Sequence, residues 1–184
     1  MVPGLVQFHH SRTCRDALLV AVTAVVSAVW VQLLGAGIFG PLRPWVNSYA
    51  FNLAAVLTLY FVPKPGAVIL VKFLGGVIEI LLGNPFGRIG TYYGTVEGIG
   101  FALAFVMFRR SLGLPMIFVG SVLAWLLAAP MDVYVDKVPL TAAALVAYFG
   151  PGFLGRITSS ILVYATVLGL RKAGIQPDPR LLQT

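Results

Sequence analysis

Two glutamates, Glu79 and Glu97, interrupt apolar runs between Leu70 and Phe108, and one arginine, Arg156, interrupts another. An ionised side chain in such surroundings costs about 2.5 kcal/mol or more if it sits at the centre of a bilayer. Each of these groups therefore needs a partner, and three kinds of chemistry are open to them: an internal ion pair, recognition of a donor-rich ligand, or proton transfer between the carboxyl groups. Asn52, with Ser48 one turn before it, adds an amide on a separate apolar run, and Asn84 adds another in the turn-rich segment Gly83-Asn84-Pro85-Phe86-Gly87-Arg88. Tyr93 stands four residues before Glu97 and Phe101 four after, a spacing that puts all three on one helix face. Trp45 and Trp125 supply further flat surfaces. No nucleophile or histidine constellation accompanies the carboxylates, so no catalytic residue is assigned. Cys14 is the sole cysteine, which excludes an internal disulfide and a cysteine metal site. His9 and His10 read as part of a polar tail, and no metal or cofactor is expected.

The elements that must position these groups follow from composition. Of the 184 residues, 59% are hydrophobic and only 10% charged, with a mean hydropathy of +0.92. Soluble domains carry about 25% charged residues, so the chain reads as an all-α integral membrane protein with a single membrane domain over residues 1–184. Spanning helices need about 20 apolar residues, which predicts six helices near 17–39, 45–62, 65–82, 89–108, 114–131 and 151–170. The shorter run 140–149 reads as a helical or re-entrant cap. The net charge of +7 is scattered singly between apolar runs rather than along a basic stripe, so nucleic acid is not a partner. With both termini cytoplasmic, the inner segments hold eight basic residues (Arg12, Arg15, Lys64, Arg109, Arg110, Arg171, Lys172 and Arg180). The outer loops hold three (Arg43, Arg88 and Lys137), which is the asymmetry expected of a multi-pass plasma-membrane protein. No convincing internal repeat suggests two inverted halves.

Placed in that frame at about 1.5 Å per residue, Glu79, Glu97 and Arg156 fall roughly 6, 10 and 8 Å below the outer face. Asn52, Ser48 and Trp125 share this outer half, and the inner half is nearly all apolar. The layer predicts a pocket open to the outside. Arg156 neutralises one glutamate, Glu97 by depth, and Lys72 is expected to snorkel inward or meet a partner, which leaves the pocket net acidic. Gly90, Gly94 and Gly98 repeat every four residues and allow either close helix packing or room for a ligand. Ala17, Ala21, Ala24 and Ala28 form a small-residue stripe on the first helix, suited to packing within the chain or to docking another membrane subunit.

The run Glu79-Ile80-Leu81-Leu82-Gly83-Asn84-Pro85-Phe86-Gly87, followed by Tyr93-Gly94-x-x-Glu97-Gly98-x-Gly100-x-Ala102, resembles the YkoE family of substrate-binding S-components of energy-coupling factor (ECF) transporters. The specific motif covers about Val77 to Phe105, whereas length and helix count agree over nearly the whole chain. The resemblance implies a vitamin ligand, thiamine or its hydroxymethylpyrimidine precursor. It also implies a transmembrane coupling subunit docked on Ala17, Ala21, Ala24 and Ala28, and two ATPase subunits or domains. The chain itself has no GxxxxGK[ST] phosphate loop. The ligand-binding set expected here is Glu79, Asn84, Tyr93, Glu97, Asn52, Trp125, Arg156 and Trp45. Two other function classes compete with a transporter subunit. One is a solitary proton-coupled permease, and the other is an intramembrane enzyme using Glu79 and Glu97 as acid and base.

Overall fold

A computed structural model describes residues 3–35, 43–83, 87–135 and 137–181. Asn84, Phe86 and Asp136 lie outside these described residues. The described residues form six α-helices: α1 (Pro3–Gly35), α2 (Arg43–Phe61), α3 (Pro65–Leu81), α4 (Gly87–Met107), α5 (Leu114–Val135) and α6 (Ala142–Lys172). A single 3-10 turn, Pro179–Leu181, follows. Proline sets the α2–α3 boundary: Lys64 is extended and Pro65 opens α3, where its missing N–H costs nothing. α6 begins at Thr141, whose hydroxyl accepts from the Ala144 N–H at 3.3 Å.

α1, α5 and α6 carry stretches long and apolar enough to cross a membrane. α3 falls short of that measure by length, with 17 residues. α2 and α4 do not meet that measure over their described residues. Five helices close a circle in the order α2, α6, α5, α4, α3, with α3 returning to α2. α1 packs outside it, in the groove between α2 and α3. Successive helices alternate in direction, so both chain ends lie at one end of the bundle, here called the terminal end.

Toward the terminal end the circle is filled by an apolar core that includes Val56, Leu59, Phe101, Phe105, Met116 and Val163. The α3–α4 crossing is closely packed. A β-carbon on Gly94 would stand 2.5 Å from the Lys72 carbonyl oxygen, and one on Gly98 would stand 2.8 Å from Ile69 Cα. Two glycines of the α4 stripe therefore serve helix packing; their space is occupied by the α3 backbone.

Three expectations need correction. Residues 142–149 do not form a separate cap but the first turns of α6, which runs unbroken through Pro151 for 31 residues. Proline removes one N–H and crowds the preceding turn, yet the helix continues through it. The N-terminal tail is the start of α1, since nothing between Pro3 and Gly35 breaks a helix. The alanine stripe is split: Ala24 and Ala28 are fully buried, whereas Ala17 and Ala21 are exposed. Packed helices meet along rows four residues apart that run at roughly 26° to the axis. The buried row of α1 is Asp16, Val20, Ala24 and Ala28, and it crosses the alanine stripe instead of following it.

Candidate functional site

One polar layer spans the circle where the apolar core stops. Asn52, on α2, donates from Nδ2 to Ser121 Oγ of α5 at 2.8 Å and to Ser159 Oγ of α6 at 2.7 Å. Arg156, one turn before Ser160 on α6, donates from Nη2 to Glu97 Oε1 of α4 at 2.8 Å. Its Nη1 reaches Asn52 Oδ1 at 3.5 Å. The Arg156–Glu97 pair joins α6 to α4, which are not neighbours in the circle, so it crosses the centre of the bundle. Lys72 enters the same layer from α3. Its ammonium lies 3.5 Å from Glu97 Oε2 and 4.2 Å from the centre of the Phe51 ring. Asn52, Lys72, Glu97 and Arg156 are all buried.

Lys72 corrects the sequence reading. It does not snorkel away from the layer; with 3% of its surface exposed, it is part of it. Its ammonium is drawn in by Glu97 and by the aromatic face of Phe51, which favour a cation that has already left water. Counting Glu79, which lies beyond the layer, two carboxylates stand against two cations, so the site is charge-balanced rather than net acidic.

On the side away from the apolar core, the next turns carry the other expected residues. Trp45 lies against Gly155, where a β-carbon would come within 3.0 Å of the indole. Trp125, one turn beyond Ser121, packs against Phe149 and Phe153 at ring distances of 5.5 and 5.7 Å. Tyr93 donates to Asp132 Oδ1 at 2.6 Å and so ties α4 to α5. Glu79 is buried at the α3–α4 interface with its carboxylate facing Gly90. The structure thus brings Asn52, Glu97 and Arg156 together in one network and places Trp45, Tyr93, Trp125 and Glu79 in the turns beyond it. An apolar groove of about 390 Å³ lies farther out, lined by Val138, Pro139, Ala144, Ala147 and Tyr148, and none of the expected ligand residues borders it. Among the described residues, no three His, Cys, Asp or Glu side chains cluster as metal ligands would.

A second charged cluster, not anticipated from the sequence, lies at the terminal end. Asp16 of α1 accepts from Lys64 at 2.9 Å, from Arg15 at 3.2 Å and from Arg180 at 3.2 Å. Asp178 accepts from Arg15 at 2.6 Å and from Arg180 at 2.7 and 2.9 Å. Tyr60 fixes the segment after α6 by donating to the Ile175 carbonyl at 2.6 Å and accepting from the Asp178 N–H at 2.9 Å. The side-chain bonds from Arg180 hold Asp178 well below the ordinary carboxylate range, and Asp178 raises Arg180 in turn. The only sequence signal was an Asp-Pro-Arg run and an Arg-Asp pair, with Arg15 and Asp178 163 residues apart, and nothing in either run names the other.

The relatives place this architecture. The sequence is 26% identical over 175 residues to YkoE of Bacillus subtilis (strain 168), named as a candidate HMP/thiamine permease; the match covers 84% of this chain and 86% of YkoE. The resemblance read from Glu79 to Phe105 therefore extends over most of the molecule. A crystal structure of an S-component of an ECF transporter superposes with a TM-score of 0.68 at 22% identity, covering 90% of this chain and 86% of that one, and so shares the fold. These relatives are transport proteins, not enzymes. The model of the family "ABC-type cobalt transport system, permease component" matches residues 15–127, and the chain belongs to that family.

Proposed function

We propose that the protein is the substrate-binding membrane subunit of an ECF-type uptake transporter, with thiamine or its hydroxymethylpyrimidine precursor as ligand. One observation carries this reading: a buried polar layer crosses the circle of helices, is closed by an apolar core on the terminal side, and carries Trp45, Tyr93 and Trp125 on the other. Such a layer suits a small polar molecule that enters from one face and cannot pass directly to the other. In this reading both termini are cytoplasmic, all six helices lie in the membrane and the aromatic side opens outward. Glu79, Asn84, Tyr93, Trp45, Trp125 and Asn52 line the ligand's path, and Glu97 with Arg156 forms its floor. A transmembrane coupling subunit and two ATPase subunits or domains supply the energy. The exposed part of α1, with Ala17 and Ala21 beside Leu18, Val22 and Val25, is the docking surface. The apolar groove of the aromatic end plays no part in this scheme.

Native mass spectrometry of the purified chain should release a ligand of the hydroxymethylpyrimidine or thiamine class, and titration calorimetry should then return saturable binding without turnover. Uptake into vesicles that lack any ATPase would overturn the subunit assignment in favour of a solitary permease. Ala21→Trp should prevent assembly with a coupling subunit and leave ligand binding intact, because the ring holds two membrane helices apart. Loss of ligand binding with assembly retained would return Ala21 to internal packing.

A further inference from the structure

α4 and α6 end on the same turn, built from different residues. In α6, the Gly174 N–H reaches back to the Arg171 carbonyl at 3.1 Å and the Ile175 N–H to the Leu170 carbonyl at 3.0 Å. Gly174 takes the left-handed conformation (φ 80°) that this turn demands, and glycine adopts it without a steric clash. In α4, the Arg109 N–H reaches Val106 at 3.0 Å and the Arg110 N–H reaches Phe105 at 2.7 Å. There the left-handed positions belong to Arg109 (φ 51°) and Arg110 (φ 62°), two successive residues whose β-carbons crowd the backbone. Where glycine would fold with less strain, the chain keeps two guanidinium groups.

Neither guanidinium holds the fold together. Among the described residues, Arg109 and Arg110 meet no carboxylate and cap no carbonyl with their side chains, and both are exposed. Their surroundings indicate what they face. Leu103, Val106 and Met107, in the last turns of α4, are 50%, 56% and 66% exposed, as side chains in contact with lipid are. The arginines follow directly, at the depth where acyl chains give way to headgroups. The carboxylates of this end are withdrawn: the Asp16 and Asp178 side chains are 8% and 4% exposed inside their own cluster. Arg171 and Lys172 are exposed like Arg109 and Arg110, so the described residues of the terminal end present positive charge outward. α4 packs against α3 and α5, whereas α1 packs against α2 and α3, so the end of α4 is not part of the exposed row of α1.

We infer that Arg109 and Arg110 form a site for the phosphate of an anionic phospholipid headgroup at the terminal end of α4. Guanidinium groups match phosphate oxygens through paired N–H donors, and basic residues flanking a spanning helix draw anionic lipid to it. The inference stands apart from the transport reading and needs only a chain embedded in lipid.

The test places the full chain in nanodiscs of phosphatidylcholine, alone or mixed equally with phosphatidylglycerol. Phosphatidylglycerol should raise the melting temperature of the parent, and native mass spectrometry should find it retained in preference to phosphatidylcholine. In the double variant Arg109→Gly/Arg110→Gly that preference should fall about tenfold or more. Its melting temperature in phosphatidylcholine alone should equal or exceed the parent's, because glycine relieves both left-handed positions. Lys137→Gln, at the other end of the bundle, should leave the preference unchanged. If the double variant fails to fold, Arg110→Asn carries the same test, since asparagine tolerates the left-handed region. Equal retention of both lipids by the parent, or a preference untouched by the arginine variants, would overturn the inference. A shift reproduced in phosphatidylcholine by inorganic phosphate would overturn it in favour of a soluble anion. Loss of assembly with a coupling subunit at unchanged lipid preference would overturn it in favour of a protein contact.

Discussion

At the terminal end of the bundle, Asp16 and Asp178 share three cations, and all four of their carboxylate oxygens accept hydrogen bonds. At its centre, Glu97 lies between two cations, with Arg156 at 2.8 Å and Lys72 at 3.5 Å. The first cluster is wet at its rim: the Arg15, Lys64 and Arg180 side chains are 49%, 55% and 36% exposed. The second is buried: the Lys72, Glu97 and Arg156 side chains are 2%, 6% and 11% exposed. A satisfied, half-solvated network ties chain segments together, here α1, the α2–α3 turn and the segment after α6. A buried one costs more to break, because no water replaces the partner that is lost. The contrast separates structure from function in a chain where both use the same residue types.

The comparison can be broken most forcefully at the centre. Glu97→Gln leaves Arg156 and Lys72 buried with their shared counter-charge gone, and should lower stability by about 3–5 kcal/mol, seen as a large drop in the detergent melting temperature. An unchanged melting curve would mean that water reaches the layer. A smaller loss, about 1–3 kcal/mol, is expected for Gly94→Ala, whose new methyl meets the Lys72 carbonyl oxygen and pushes α3 away from α4. That displacement moves Lys72 as well, so ligand affinity should fall with stability; a loss of stability alone would uncouple the packing from the site. The weakest effect belongs to the terminal cluster. Asp178→Asn should cost about 1 kcal/mol per ion pair lost, because its partners are partly solvated. Asp178 titrates below its ordinary value when folded, so its contribution is full above about pH 4 and is lost only as pH falls through the lower folded value. A melting temperature that fell between pH 8 and pH 5 for the parent but not for Asp178→Asn would contradict this.

Much of the central layer was legible in the sequence because isolated polar residues in apolar runs announce themselves. Glu97, Arg156 and Asn52 could be set at one depth by counting residues from Gly83, Pro151 and the chain reversals. Lys72 was misread because depth along a helix says nothing of its azimuth: Lys72 faces the interior only because α3 lies directly on Gly94 and Gly98. The α1 stripe was misread for a related reason, since the contact row is inclined to the axis and leaves Ala17 and Ala21 outside. Pro151 was taken as a boundary although a proline between glycines can lie inside a long helix. The terminal cluster was hidden altogether, because ion pairs across 163 residues have no local signature.

The central claim is that the buried central cluster borders the ligand site and the half-exposed terminal one does not. Titration calorimetry of hydroxymethylpyrimidine against the parent, Lys72→Met and Asp178→Asn proteins tests it directly. The account predicts saturable binding to the parent, about tenfold weaker binding to Lys72→Met, and binding to Asp178→Asn equal to that of the parent. Equal affinity for the parent and Lys72→Met, together with a loss in Asp178→Asn, would contradict it.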